Sequence, residues 1–318
     1  MPPEITGASV VGHDETLHVL VPSTALATAV EAVSPRVRAH RVPPEDGPPS
    51  GAAAQAQVWV PGGGTGPRAG FLEALPRLRL VQLLSAGAER FAGRLPDGVV
   101  LCNARGAHTP ATAEWVLTAV LAAQRGIPDL VRSQAAGRWV PRTYSSLHGA
   151  RVLVVGAGDI GRTVGAMMAP FGVQLTHVAR TARTGVSAVA DLPRLLPSAD
   201  VVVVVVPVTP ETTGLVDAGF LAAMPDGALL VNAARGVVVD TAALLAELQA
   251  GRLRAALDVT DPEPLPEGHP LWSAPGLLLT PHVAGMVPGT NERAAAAVVD
   301  QLTRVLAGRP LVNVVDAY

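Results

Sequence analysis

Three polar residues stand just after apolar runs in the second half of the chain. Arg235 follows LLVNAA, Glu263 lies in the proline-rich DVTDPEPLP, and His282 follows LLLTP. Proline cannot donate to a sheet ladder and tends to end a strand, which leaves His282 in a loop at a strand's C-terminal end. An arginine grips a carboxylate with two parallel hydrogen bonds. A histidine gives or takes a proton near neutral pH, and a neighbouring carboxylate orients its ring and favours the charged form. The set suits reduction of a ketone beside a carboxylate. The arginine fixes the acid, and the histidine protonates the oxygen as negative charge builds there. Each residue also has an ordinary alternative: a surface salt bridge for Arg235, a solvated acid for Glu263, a plain loop histidine for His282. The three are far apart in sequence, so only the fold can join them.

Such a reduction needs a hydride donor, and VLVVGAGDIGRTVG supplies a place for one. Gly156, Gly158 and Gly161 form a G-x-G-x-x-G with Ala157, Asp159 and Ile160 between them. A strand precedes it and a helix follows, the context that makes this pattern informative for dinucleotides. The helix N-terminus would offer free N–H groups to a pyrophosphate. An NAD site usually carries an acid about 20 residues on, for the ribose 2′-hydroxyl. Here VARTARTG offers Arg180, Thr181 and Arg183 and no acid. Arginines suit a 2′-phosphate. NADP(H) is therefore the expected cofactor, with NAD(H) second. A solvated basic turn is the plainer reading of the same residues. Asp258, ending ALD, is either a structural turn residue or a cofactor contact.

The elements that must hold these residues alternate. ARVLVVG (150–156), VQLTHVA (173–179), ADVVVVVVP (199–207), GALLVNAARG (227–236), LRAALDV (253–259) and LLLT (277–280) read as strands. Helices are expected at 161–172 and 241–251. Continuous apolar strands between helices indicate a parallel sheet covered on both faces, a doubly wound α/β domain over 107–285. Ligands of such sheets bind beyond the strands' carboxyl ends. Upstream, strands at 17–22, 57–61, 78–87 and 98–106 and a helix at 24–33 suggest a smaller α/β unit, with a loop at 41–51. Residues 1–106 and 286–318 would form this second, discontinuous domain. TPATAEWVLTAVLAAQRG (109–126) and TNERAAAAVVDQLTRVLAG (290–308) are strong helix patterns, each opening at a threonine suited to capping and closing at glycine.

Composition narrows the classes. The chain has 318 residues and a formal charge of −2, which gives no reason to expect nucleic acid or an anionic membrane as partner. No apolar run approaches the roughly 20 residues of a membrane span, and no secretory signal is visible. Every basic residue is arginine, so Schiff-base chemistry through lysine is excluded. The single cysteine, Cys102, excludes an intrachain disulfide and fits a reducing cytoplasm. The histidines are scattered without metal-like spacing, and no metal is expected.

HGARVLVVGAGDIG, VVVVVPVTPETTGLV, LLVNAARGVVVD, ALDVTDPEPLPEGHPLW and LLTPHVAG, with AEWVLTAVLAAQR and AGRW upstream, resemble the D-isomer specific 2-hydroxyacid dehydrogenases. The resemblance is to the glyoxylate/hydroxypyruvate reductase and phosphoglycerate dehydrogenase group. It implies a Rossmann-type doubly wound parallel sheet plus a smaller flavodoxin-like α/β substrate domain. It implies interconversion of a 2-keto acid and a D-2-hydroxy acid by hydride transfer, in a homodimer, with Arg235, Glu263 and His282 as the triad. It implies that Val206, Pro207, Thr212, Ala233 and Gly285 line the cofactor and that Asp258 sits near the nicotinamide amide. It implies that the backbone amides of Ser85, Ala86 and Gly87 hold the substrate carboxylate. The first hundred residues match loosely, and Met286 opens a longer link after Gly285. A relative acting on formate or phosphite, and a nucleotide-sensing protein on the same fold, are the alternatives.

Overall fold

The structure, a computed structural model, describes residues 6–42, 47–62, 66–67 and 70–315. Residues 43–46 of the loop expected at 41–51 lie outside the described residues. The chain divides into two compact units, one running up to His108 and resuming at Pro288, the other spanning Thr109–Val287.

The first unit opens with β1 (Leu17–Val21), α1 (Thr24–Glu31), β2 (Val37–Arg41), β3 (Val58–Trp59), β4 (Leu80–Gln82) and β5 (Val100–Cys102). Ser23 caps α1 by accepting the Leu26 N–H. All strands pair in parallel in the order β2-β1-β3-β4-β5, the flavodoxin-like order. The strands are shorter than the apolar runs that announced them. β2, VRAHR, is an edge strand whose polar residues hide it from a search for apolar runs.

The second unit contains α2 (Thr109–Gln124), α3 (Ile127–Ala135), β6 (Arg151–Val155), α4 (Asp159–Met168), β7 (Gln174–Ala179), β8 (Val186–Ala188), α5 (Leu192–Leu195), β9 (Val201–Val204), α6 (Ala218–Ala223), β10 (Leu229–Asn232), α7 (Thr241–Gln249), β11 (Arg254–Leu257) and β12 (Leu277–Leu279). Its seven strands are parallel, in the order β12-β11-β10-β9-β6-β7-β8. The sheet is covered on both faces. Val202 and Val204 of β9 point into one core cluster, and Val201 and Val203 into the other. Each such valine is worth roughly 1.5–3 kcal/mol of apolar burial. The winding reverses between β6 and β9, which defines the sheet's switch point. This is a Rossmann-type doubly wound fold.

The chain ends with α8 (Thr290–Leu306), which belongs to the first unit. Its Val298, Leu302 and Val305 share a core with Leu17, Val19 and Val21 of β1. The residue before this helix is Gly289, at φ 86°, and Thr290 is its first, buried residue rather than its cap.

Candidate active site

The loops after β6 and β9 meet at the switch point, and the glycine motif occupies the first of them. A side chain at Gly161 would put its Cβ 1.8 Å from the Gly156 carbonyl oxygen, so only glycine lets α4 start this close to β6. At Gly158 an added Cβ would meet nothing within 4 Å. Among the described residues, the N–H groups of Gly158, Asp159 and Ile160 meet no acceptor. Open room above free N–H donors at a helix start is what a pyrophosphate requires, and the fit to a dinucleotide is good.

The basic residues gather beside this loop. Arg183 Nη2 donates to the Ala157 carbonyl at 3.2 Å, and Arg162 Nη1 donates to the same oxygen at 3.1 Å. Arg162 also pairs with Asp159. Arg180, Thr181 and Arg183 are exposed. In the loop after β9, the Thr209 hydroxyl, ahead of the charge on Arg180, holds the Glu211 carboxyl below the usual range. Thr212 closes that loop by donating to the Pro207 carbonyl at 2.6 Å. Val206 and Ala233 are half-buried at the ends of β9 and β10.

The other polar residues follow β10, β11 and β12, three neighbouring parallel strands, and so emerge at one end of the sheet. Asn232 ends β10, fully buried. Its Oδ1 accepts the Ala234 N–H and its Nδ2 donates to the Arg235 carbonyl, both at 3.0 Å, which shapes the turn that presents Arg235. Arg235 Nη1 donates to the Ala234 carbonyl at 2.8 Å. Gly236 then lets this turn press on the next loop. A Cβ there would sit 1.9 Å from the Thr260 carbonyl oxygen. Beyond Thr260, Trp272 braces the proline-rich loop by donating from Nε1 to the Pro266 carbonyl at 2.9 Å.

Glu263 in that loop meets His282. Oε1 lies 2.6 Å from His282 Nδ1, and the two side chains are 40% and 43% exposed. With Nδ1 engaged, Nε2 is the ring nitrogen left to exchange a proton with a ligand. His282 has φ 54°, a left-handed conformation uncommon for a residue with a side chain. Its N–H donates to the Asp258 carbonyl at 2.7 Å.

Asp258 is 2% exposed, and its carboxylate is fully employed. Oδ1 accepts from the Thr280 hydroxyl at 2.6 Å and the Val283 N–H at 2.9 Å, and Oδ2 accepts from the Ala284 N–H at 2.9 Å. It fastens the loop that carries His282 and leads to Gly285. Sequence reasoning misses Asn232 and Thr280. The signal that could find them is a polar residue closing an otherwise apolar strand, as in LLVN and LLLT.

Ser85, Ala86 and Gly87 belong to the first unit, in the loop after β4. Their carbonyls are held by the Ala104 N–H, Asn103 Nδ2 and Ser85 Oγ respectively.

Fold and site together define a dinucleotide-binding α/β chain with a histidine–carboxylate pair at the carboxyl edge of its sheet. The chain belongs to the D-isomer specific 2-hydroxyacid dehydrogenase family. The family's NAD binding domain profile matches residues 117–284. Over 261 residues the chain is 33% identical to glyoxylate/hydroxypyruvate reductase B of Citrobacter koseri, covering 77% of this chain and 80% of that one. It is 32% identical over 256 residues to D-3-phosphoglycerate dehydrogenase of Archaeoglobus fulgidus, covering 77% of this chain and 48% of that one. The chain thus spans about half the length of that relative. A D-isomer specific 2-hydroxyacid dehydrogenase from Xanthobacter autotrophicus Py2, solved with NADPH and MES, superposes with a TM-score of 0.84 at 34% identity, over 95% of this chain and 98% of that one. No helix among the described residues is long and apolar enough to cross a membrane.

Proposed function

We propose that the protein is an NADP(H)-dependent reductase of small 2-keto acids, of the glyoxylate/hydroxypyruvate type, yielding the D-2-hydroxy acid and reversible in principle. The observation that carries this reading is the 2.6 Å contact between His282 Nδ1 and Glu263 Oε1, on the sheet edge that also presents Arg235. Bound NADPH supplies the hydride. His282 Nε2 gives a proton to the carbonyl oxygen in reduction and takes it back in oxidation. Glu263 holds the ring so that Nε2 faces the ligand. Arg235 binds the carboxylate and carbonyl side of the substrate through its forked donors. The amides of Ser85, Ala86 and Gly87 would also bind the substrate carboxylate.

Gly156, Gly158, Asp159, Ile160 and Gly161 would receive the pyrophosphate, and Arg180, Thr181 and Arg183 the 2′-phosphate. Val206, Pro207, Thr212, Ala233, Asp258 and Gly285 would line the remaining cofactor. The relative from X. autotrophicus, solved with NADPH, supports the choice of cofactor. A second copy of the chain is the expected partner. The stretch from α3 onward exposes Val131 (57%) and Trp139 (96%), apolar surface suited to a dimer contact. A chain with one cysteine suits the cytoplasm.

The test is NADPH consumption by the purified protein with glyoxylate, hydroxypyruvate, pyruvate and phenylpyruvate. Turnover with any of these upholds the reading. NADPH bound without turnover on any would favour a nucleotide sensor or a different substrate class.

A further inference from the structure

Asn103 stands at the end of β5 in the first unit and is 9% exposed. Its Nδ2 donates to the Ala86 carbonyl at 2.8 Å, and its Oδ1 accepts the Arg105 N–H at 3.1 Å. Its own N–H donates to the Asn313 carbonyl at 3.1 Å. The next residue, Ala104, donates its N–H to the Ser85 carbonyl at 2.9 Å. The loop after β4 is therefore held from the β5 side by two consecutive residues, both acting on its carbonyls.

The consequence follows from peptide geometry. In a trans peptide the C=O of one residue and the N–H of the next point in opposite directions across one plane. Holding the Ser85 carbonyl toward β5 aims the Ala86 N–H away from it. Holding the Ala86 carbonyl the same way aims the Gly87 N–H away too. Neither N–H meets an acceptor among the described residues. Successive N–H groups turned outward form a concave donor site for an anionic oxygen. Ala104 acts through its backbone N–H, which every substitution but proline keeps. Asn103 is the side chain in this arrangement.

We infer that Asn103 is a positioning residue, which aims the Gly87 N–H at the carboxylate of the substrate without touching it. This rests on the 2-keto acid reading above. Losing one aimed donor to a charged group costs about 10- to 100-fold in binding.

The experiment compares wild type with Asn103→Ala on pyruvate and on its neutral amide, pyruvamide, with NADPH affinity followed by protein fluorescence. The variant should raise KM for pyruvate about 10- to 100-fold, with kcat held within about 3-fold and NADPH affinity unchanged. The kcat/KM for pyruvamide should move by less than about 3-fold, because no carboxylate is lost. If Asn103→Ala fails to fold, Asn103→Asp, which keeps the volume and the Oδ1 acceptor but loses the donor, carries the same test. An equal loss on both substrates, or a fall in kcat at unchanged KM, would make Asn103 merely structural and overturn the inference while the reductase reading stands. A wild type that reduces no 2-keto acid would remove both together.

Discussion

Glu263 Oε1 and His282 Nδ1 lie 2.6 Å apart, although one follows β11 and the other β12. The contact commits one ring nitrogen and leaves the other for chemistry. Glu263→Gln keeps the volume and replaces the charge with an amide. It should lower kcat with glyoxylate or its best substitute by about 100-fold, while NADPH binds as before. Steady-state rates paired with fluorescence titration of NADPH would check this. A kcat within a factor of two of wild type would remove Glu263 from the mechanism.

Arg183 stands beside the glycine loop, donating to the Ala157 carbonyl, and Arg180 follows β7 directly, exposed, with its charge near Glu211. The double variant Arg180→Ala with Arg183→Ala should raise KM for NADPH by about 10- to 100-fold and change KM for NADH by less than about 3-fold. Equal effects on the two cofactors would mean that the arginines do not read the 2′-phosphate.

Asp258→Asn sets an amide NH₂ among groups that themselves donate: the Thr280 hydroxyl and the Val283 and Ala284 N–H groups. A buried donor left facing donors costs about 2–3 kcal/mol. Thermal unfolding should shift down by roughly 5–10 °C. Turnover should fall as well, because the same loop holds His282 at φ 54°. Calorimetry and rates on one preparation would test both. An unchanged melting temperature would show that the carboxylate carries little of the loop's order.

Arg151 and Asp200 give a pH prediction of known sign. Arg151 donates from Nη2 to Oδ1 at 2.8 Å and from its backbone N–H to Oδ2 at 2.8 Å, and its side-chain hydrogen bond leads the causes that hold the Asp200 carboxyl below its usual range. A depressed carboxyl stabilises the fold above its unfolded pKa of about 3.9, and the gain vanishes as pH falls through the folded value. Because the Asp200 side chain is 40% exposed, solvent screening limits the effect to about 1 kcal/mol or less. Asp200→Asn should thus be less stable than wild type at pH 7, with the difference shrinking as pH falls below about 3.9 and on through the lowered folded value. A constant difference from pH 7 to pH 2 in urea unfolding would refute this.

Val131→Glu places a charge on the exposed apolar stretch of α3. If the proposed dimer forms through this stretch, the variant should sediment as a monomer where wild type sediments as a dimer, with the fold intact by circular dichroism. A dimer of unchanged strength would move the interface elsewhere.

The core of the second unit is readable in the sequence because its strands are short apolar runs with polar ends. VVVVVV by itself announces β9, although only Val201–Val204 join the ladder. β2 is not readable. Its VRAHR pairs along the whole of β1 yet carries arginines and a histidine. Position after a strand can be read for Arg235, Glu263 and His282. That β10, β11 and β12 are neighbours is a property of topology, which no spacing in the sequence carries. Asp258 shows the same limit at the scale of one side chain. An acid at a strand end is visible in ALDV, but which donors its oxygens accept depends on β12, some twenty residues on.

The shared core of β1 and α8 sets an order of events during synthesis. The strand bearing Leu17, Val19 and Val21 leaves the ribosome before the Rossmann-type unit, and its partners Val298, Leu302 and Val305 emerge only after that unit. The Rossmann-type unit lies wholly between them and can close while the earlier unit still waits with an apolar sheet face uncovered. The unit begun first is finished last. A nascent chain stalled before residue 290 would hold one complete unit and one open one, and the open face is where a chaperone or an unwanted neighbour would attach.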